Sequence, residues 1–234
     1  MEIRCVWEHN GDDTLLYVEN FPGAYARGAS LDEAMGKLQR EIPSYLRWKK
    51  LTPTGSLRPI VVEDRPCELA VRDADSDVLF SSEQHPLTME EYLALKVLVL
   101  KSAEDFLALY EAVPDKDAST LPHRKTFYGD VPRTAEEMYR HTKSVNAYYF
   151  GEIGVEADNE GTILECRQRG FQLLEQQPEF LENKVVDGSY GELWSLRKVL
   201  RRFLWHDRIH ARALWRMAEK TFGDGATPDI FCFD

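Results

Sequence analysis

The spacing of apolar residues differs between the beginning and the rest of this chain, and that difference limits the fold more than any other feature. Near the beginning, as in Ile3–Trp7, apolar and polar side chains alternate in the way typical of half-buried strands. From Thr88 onward the apolar residues recur every three or four positions, which is typical of helices. The sequence therefore predicts an α+β protein in which a small strand-rich unit precedes a helical one.

Two turn clusters divide the first unit into short strands. Asn10–Asp13 separates the first two apolar runs, and Phe21–Gly23 separates the second run from a third. Ser30, which is followed by a glutamate three residues later, predicts the start of a helix that closes the unit. We therefore predict a βββα domain over residues 1–50 and a linker with short strands over residues 51–87.

The rest of the chain, residues 88–234, predicts an antiparallel four-helix bundle. Pro114 ends the first helix, and a threonine–glutamate capping box at Thr134 begins the second, after a long connection. The apolar residues 230–233 are expected to pack on the bundle or on a second subunit. The four predicted helices cover residues 88–113, 133–153, 159–184 with a kink at Pro178, and 190–222.

Composition argues against several functional classes. The chain has 29 Lys and Arg residues against 40 Asp and Glu residues, a net charge of −11, whereas nucleic acids and anionic membranes attract basic proteins. The four cysteines form no CxxC pair, and the chain has no apolar leader and no apolar stretch long enough to span a membrane. We therefore expect a cytoplasmic protein that binds neither nucleic acid nor membranes.

The fourth predicted helix carries the residues with the clearest chemical potential. His206 and His210 are four residues apart, so both imidazoles lie on one helix face and can reach one metal ion. Apolar residues from Leu200 to Met217 share that face, so the pair is expected to point into the bundle. Two imidazoles buried together need polar partners, and a divalent cation is one such partner.

A histidine on the second predicted helix can complete the site. His141 lies roughly 70° from the centre of that helix's apolar face, so it can approach the pair in a bundle. Three neutral imidazole nitrogens with one open position are typical of catalytic zinc, and nickel or ferrous iron fit nearly as well. The sequence therefore predicts a divalent-metal site formed by His141, His206 and His210.

Other interpretations of these histidines stay open. Each of them, taken alone, is more often a hydrogen-bonded core residue than a metal ligand. The segment His206–His210 also approaches the HExxH motif of metalloproteases, but Asp207 replaces the glutamate and its side chain is one methylene shorter. We expect Asp207 to lie at the edge of the bundle or to act as a partner of a ligand.

Side chains around the histidines are expected to have structural roles. Tyr148, Tyr149 and Trp205 are interpreted as core or as walls of a pocket rather than as catalytic acids. A basic stretch on the fourth helix is interpreted as a solvated face, with attraction of an anionic substrate as the alternative. This basic stretch comprises Arg197, Lys198, Arg201, Arg202 and Arg208.

Two stretches of the helical region resemble the DinB/YfiT superfamily of metal-dependent enzymes. Ala135–His141 is similar to the helix of that family that ends in a histidine, and Leu204–Leu214 is similar to its later helix with paired histidines. The resemblance covers roughly residues 88–222. It implies that the three histidines named above are the metal ligands.

The first fifty residues resemble the HicB-like antitoxin fold. That resemblance implies a binding or dimerising module rather than a catalytic one, so we expect a homodimer. The similarity is carried by Phe21–Ala24 followed by Gly28, Ser30, Glu33 and Ala34.

The metal triad and the DinB-like resemblance together predict a metal-dependent enzyme with a small-molecule substrate. The resemblance implies a transferase or isomerase that uses a low-molecular-weight thiol, or a hydrolase. The alternative is a non-catalytic binding or assembly protein whose metal is structural or absent. A fourth protein ligand would favour that alternative, because catalytic metal sites keep one position open.

Overall fold

The computed structural model describes residues 1–52, 55–126 and 129–234 of this α+β protein, and they form two units. The first unit is Met1–Phe80 together with Phe231–Asp234, and the second is Ser81–Ile230. This division differs from the predicted one, because the described part of the segment up to Phe80 belongs to the first unit rather than to a separate linker. Pro53 and Thr54, which fall in the predicted linker, lie outside the described residues.

A four-stranded mixed sheet forms the centre of the first unit. Its elements are β1 (Glu2–Asn10), β2 (Asp13–Val18), β3 (Tyr25–Gly28), helix α1 (Leu31–Trp48) and β4 (Arg58–Pro66). The strand order is β3-β2-β1-β4, with antiparallel pairing except between β1 and β4. That pair is parallel because the helix α1 returns the chain to the same end of the sheet before β4 begins.

Helix α1 begins and packs as the sequence pattern predicts. The Ser30 hydroxyl accepts a hydrogen bond from the backbone N–H of Glu33 at 3.2 Å, which caps the helix. Ala34 and Leu38 are fully buried on the face that contacts β2 and β3. At Gly28 a Cβ atom would lie 2.9 Å from the Ala34 nitrogen, so the close approach of strand and helix requires glycine.

The C-terminal residues pack within the first unit. The ring of Phe231 stacks on Trp48 with centroids 5.4 Å apart, and Arg47 donates a hydrogen bond to the Cys232 carbonyl at 3.3 Å. Both Phe231 and Trp48 are almost completely buried. The expectation that this segment packs on the helices of the second unit was therefore wrong for residues 231–233.

Four long helices build most of the second unit. They are α2 (Met89–Ala112), α3 (Ala135–Gly151), α4 (Ile163–Leu174) and α5 (Leu196–Phe222). Two short antiparallel pairs accompany them, namely β5 (Lys125–Thr126) with β6 (Gly129–Asp130) and β7 (Val186–Asp187) with β8 (Leu193–Trp194). Helix α5 packs against α2 and α3, and α4 packs against the same two helices. Among the described residues, no helix combines the length and apolarity needed to cross a membrane.

The predicted bounds agree closely with the structure for the first two of these helices and less well for the last two. Thr88, Thr134 and Thr162 each form a capping box with a glutamate three residues later. The third predicted helix extends too far, because α4 ends at Leu174 and a short 3-10 turn follows Pro178, which cannot continue an α-helix. The fourth was predicted to start too early, because the pair β7 and β8 precedes α5 and Ser195 caps it.

Candidate metal centre

Helix α5 places two histidines side by side in the interior of the second unit. The imidazole centroids of His206 and His210 are 4.4 Å apart, as expected for residues one helical turn apart. Leu200, Phe203 and other apolar residues of this face are fully buried, which confirms that the stripe points inward. The helical spacing alone therefore determines the direction in which both rings point.

The neighbouring helix α3 supplies the third histidine. The His141 ring lies 5.2 Å from the His206 ring and 4.6 Å from the His210 ring, centroid to centroid. One ring nitrogen from each histidine can be chosen so that all three atoms lie within 4.8 Å of one another. The structure thus brings together the three residues that the sequence singled out.

Burial increases from one side of the histidine group to the other. His141 is exposed, His210 is half-buried, and His206 is 6% exposed. The Nδ1 atom of His206 has no hydrogen-bond partner among the described residues, although buried polar atoms are nearly always paired. A bound metal ion could interact with such a nitrogen. The solvent-accessible side of the histidine group lies at His141.

The spacing of the three nitrogens suits a divalent cation. Zinc–nitrogen bonds of about 2.0 Å in a tetrahedral site place neighbouring nitrogens about 3.3 Å apart. Nitrogens that already lie within 4.8 Å of one another need only small side-chain rotations to reach that spacing. The described group contains three members, so no fourth His, Cys, Asp or Glu of the described chain closes it.

The surroundings of His206 and His141 favour the neutral imidazole, which is the form that binds metals. Burial lowers the pKa of His206 well below its ordinary value of 6.5, and the neighbouring His210, His141, Arg202 and Arg167 lower it further. Partial burial of the ring also lowers the pKa of His141. Both shifts favour an unprotonated nitrogen lone pair near neutral pH.

These pKa shifts predict that the metal-free protein loses stability in mild acid. Because the unfolded chain protonates these histidines at their ordinary pKa of 6.5 while the folded chain resists it, stability is complete above that pH and falls as the pH drops below it. Thermal unfolding in the presence of a chelator measures the effect. The His206→Asn variant should lose less stability on acidification, and an equal loss in both proteins would contradict the assignment.

Aromatic side chains surround the buried side of the site. The Tyr149 ring lies 6.0 Å from the His206 ring and 5.4 Å from the Trp194 ring, and Trp205 also contacts His206. Tyr149 and Trp205 are buried, as predicted for core or wall residues, whereas Tyr148 is 37% exposed. Burial raises the pKa of Tyr149, which makes it a weaker acid and does not favour a proton-donating role.

Asp207 is not at the edge of the helical unit but in its core. Its carboxylate forms an ion pair with Arg167 of α4, with Nη1 and Oδ2 3.3 Å apart, and both side chains are fully buried. The role of Arg167 was not predicted from the sequence. The available signal was a single charged residue at a position where the apolar face of α4, with Ile163, Gly170 and Phe171, would place an apolar one.

The basic stretch of α5 is buried except for Arg197, which is partly exposed, so the prediction of a solvated face was wrong. Arg201 donates to the Glu83 carboxylate at 3.1 Å, and the Lys198 ammonium lies 2.8 Å from a carboxylate oxygen of Glu192. Burial lowers the pKa of Lys198 to about 8. Much of this stretch therefore anchors α5 to the segments before α2 and before α5, because buried cations need acidic partners.

No protein-family model, no curated protein and no solved structure matches this chain. The resemblances to the DinB/YfiT superfamily and to the HicB-like fold therefore stay predictions from the sequence. The histidine geometry is the feature from which a function can be argued.

Proposed function

We propose that this protein is a metal-dependent enzyme whose metal ligands are His141, His206 and His210. The observation that carries the proposal is the convergence of three imidazole nitrogens within 4.8 Å of one another, contributed by two helices of one unit. The unpaired, buried Nδ1 atom of His206 supports it further. Three histidines spread over 69 positions of sequence do not meet in this way through local structure alone.

The donor set favours a borderline transition metal. Imidazole nitrogens suit zinc, nickel and ferrous iron, and three of them without a carboxylate or thiolate leave the cation with its full charge. When bound, such a cation is a Lewis acid that lowers the pKa of a thiol or water in its open position. The proposal therefore includes a divalent transition metal as cofactor.

The protein side chains divide the site into a closed side and an open side. Tyr149 and Trp205 pack against His206 and exclude water from it, whereas His141 reaches the surface. A small molecule would therefore approach from the side of His141. Exclusion of water on the closed side strengthens electrostatic interactions with such a substrate.

The resemblance to the DinB/YfiT superfamily narrows the reaction class. It supports a four-helix bundle that catalyses a transferase or isomerase reaction with a low-molecular-weight thiol, or a hydrolysis. The HicB-like resemblance of the first unit supports a role in binding or dimerisation. Both inferences depend on the motifs in the sequence, and the histidine geometry agrees with the first.

An activity screen of the metal-loaded protein tests the proposal. One arm combines low-molecular-weight thiols with an electrophilic acceptor, and the other uses simple esters and amides. Activity in either arm should rise with pH through about 7, where a nucleophile activated by zinc titrates. Metal-loaded protein that is inert in both arms would instead favour a non-catalytic binding protein.

A further inference from the structure

A fully buried polar cluster lies beside the histidine group. The guanidinium of Arg167 donates to both carboxylate oxygens of Asp207, at 3.3 and 3.4 Å, and neither side chain has any exposed surface. The same guanidinium lies over the ring of Phe203, with its central carbon 3.7 Å from the ring centroid. Arg167 is therefore held in one orientation by charge on one side and by an aromatic face on another.

This cluster connects the two helices that carry the histidines. Through its Nε atom Arg167 also donates to Asn146 of α3 at 3.2 Å, and the amide of Asn146 donates to the Asp158 and Cys166 carbonyls. Asp207 belongs to α5 and directly follows His206. One planar group thus binds α3, the helix of His141, to α5, the helix of the other two histidines.

Three of the four long helices of the second unit contribute to the cluster. Arg167 lies on α4, Asn146 on α3 and Asp207 on α5. A rotation or shift of any one of these three helices would disturb the contacts. The cluster therefore fixes how the helices are turned about their own axes, which apolar packing specifies less strictly.

Stability alone gives a weak reason for such an ion pair. A buried pair loses the solvation of two charges, and apolar side chains of similar volume are often as stable or more stable in its place. The contribution of the pair is therefore better sought in the geometry that it imposes. The nearest feature that depends on strict geometry is the histidine group, one residue away from Asp207.

Metal binding is far more sensitive to helix rotation than packing is. An imidazole nitrogen lies about 6 Å from the helix axis, so a rotation of about 20° displaces it by about 2 Å. Metal–ligand distances tolerate only about 0.2 Å, which corresponds to a rotation of about 2°. Side-chain rotation can correct part of such a displacement, but the loss of a group that holds α5 against α3 would still weaken metal binding.

We propose that Arg167 is a positioning residue for the metal centre, and that it acts by fixing α5 through Asp207 and α3 through Asn146. This inference rests on the proposed function, since it concerns the same three histidines. Arg167 touches neither the metal nor the substrate in this scheme. The planar guanidinium, here called the fork, holds both helices because its three nitrogens donate in fixed directions. The lysine ammonium lacks this geometry, so lysine cannot replace arginine here.

Cobalt(II) binding by the 234-residue chain tests the proposal, with visible absorption as the readout. Two variants remove the fork: Arg167→Lys keeps the charge, and Arg167→Met combined with Asp207→Leu leaves no unpaired buried charge. The matched control is Arg169→Lys on the same helix, where Arg169 forms an exposed pair with Asp158. All proteins are titrated well below their unfolding temperatures.

We expect both Arg167 variants to bind cobalt about 10- to 100-fold more weakly than wild type and with altered absorption bands, because the loss of groups that orient metal ligands commonly has effects of that size. The control should behave as wild type does. Variants that fold and bind cobalt as tightly as wild type, with the same spectrum, would overturn this inference and leave the proposed function intact.

Two further outcomes separate the inference from the proposed function. Wild-type protein that takes up no cobalt would overturn the metal centre itself, and the role of Arg167 with it. If Arg167→Lys does not fold, the double variant decides, since it contains no isolated buried charge. Failure of both variants to fold would mean that the cluster is needed for folding rather than for positioning, and that also overturns the inference.

Discussion

The variant in which both His206 and His210 are replaced by alanine is expected to retain almost no transition metal, whereas the wild-type protein should hold about one divalent ion per chain. The reason is geometric, because the variant keeps only His141 of the three converging imidazoles. A single histidine is a weak ligand in water. Elemental analysis of protein purified without a histidine tag measures the difference.

A histidine outside the site provides the matched control. His85 is exposed and is not a member of the three-histidine group, so His85→Ala should retain the wild-type metal content. The His85→Ala variant and the double alanine variant should both remain folded, since the packing of the helices does not depend on the metal ion. Equal metal content in wild type and in the double alanine variant would show that the metal, if any, binds elsewhere.

Replacement of His141 by alanine is expected to reduce turnover at least about 100-fold. Loss of a residue that only hydrogen-bonds to a metal ligand commonly lowers metal affinity or activity about 10- to 100-fold, and loss of a ligand itself should have a larger effect. The same change should alter the free energy of unfolding by less than about 0.5 kcal/mol in the metal-free protein, because surface substitutions are usually within that range. His141 is the exposed member of the group and contributes little to the core. Kinetics and chemical unfolding of one preparation measure both quantities.

The informative result is a large loss of turnover without a large change in the free energy of unfolding. A neighbouring exposed substitution on α3, Ser144→Ala, controls for changes to the helix itself and should leave turnover near the wild-type level. If activity survived in the His141→Ala variant, catalysis would not depend on the histidine group. A large loss of stability in that variant would instead indicate that His141 has a structural role.

Features that depend on neighbouring residues could be predicted from the sequence. The inward stripe of α5 follows from helical spacing, and the starts of α1 and α3 follow from the Ser30 and Thr134 caps, which act within one turn. The position of His141 against the other two histidines was predicted from the same spacing plus an assumed packing of helices. These interactions join residues that are close together in the sequence, so a local sequence pattern predicts them.

Features that depend on distant partners could not be predicted in this way. Arg201 looks like a surface cation until it meets Glu83, which is 118 residues away, and Arg167 meets Asp207 across 40 residues. Local periodicity assigns a charged residue to solvent unless its partner is known. The boundary of α4 was missed for another reason, since Pro178 was interpreted as a kink within a helix and the chain instead leaves the helix before it.

The stacking of Phe231 on Trp48 has a consequence for the order of events during synthesis. In the sequence, 182 residues lie between Trp48 and Phe231. Their synthesis takes roughly 10 to 40 s at about 5–20 residues per second. The whole of Ser81–Ile230 falls within that interval. Synthesis of the strand-rich unit begins first. The helical unit is nevertheless fully synthesised before the strand-rich unit can form the contact between Trp48 and Phe231.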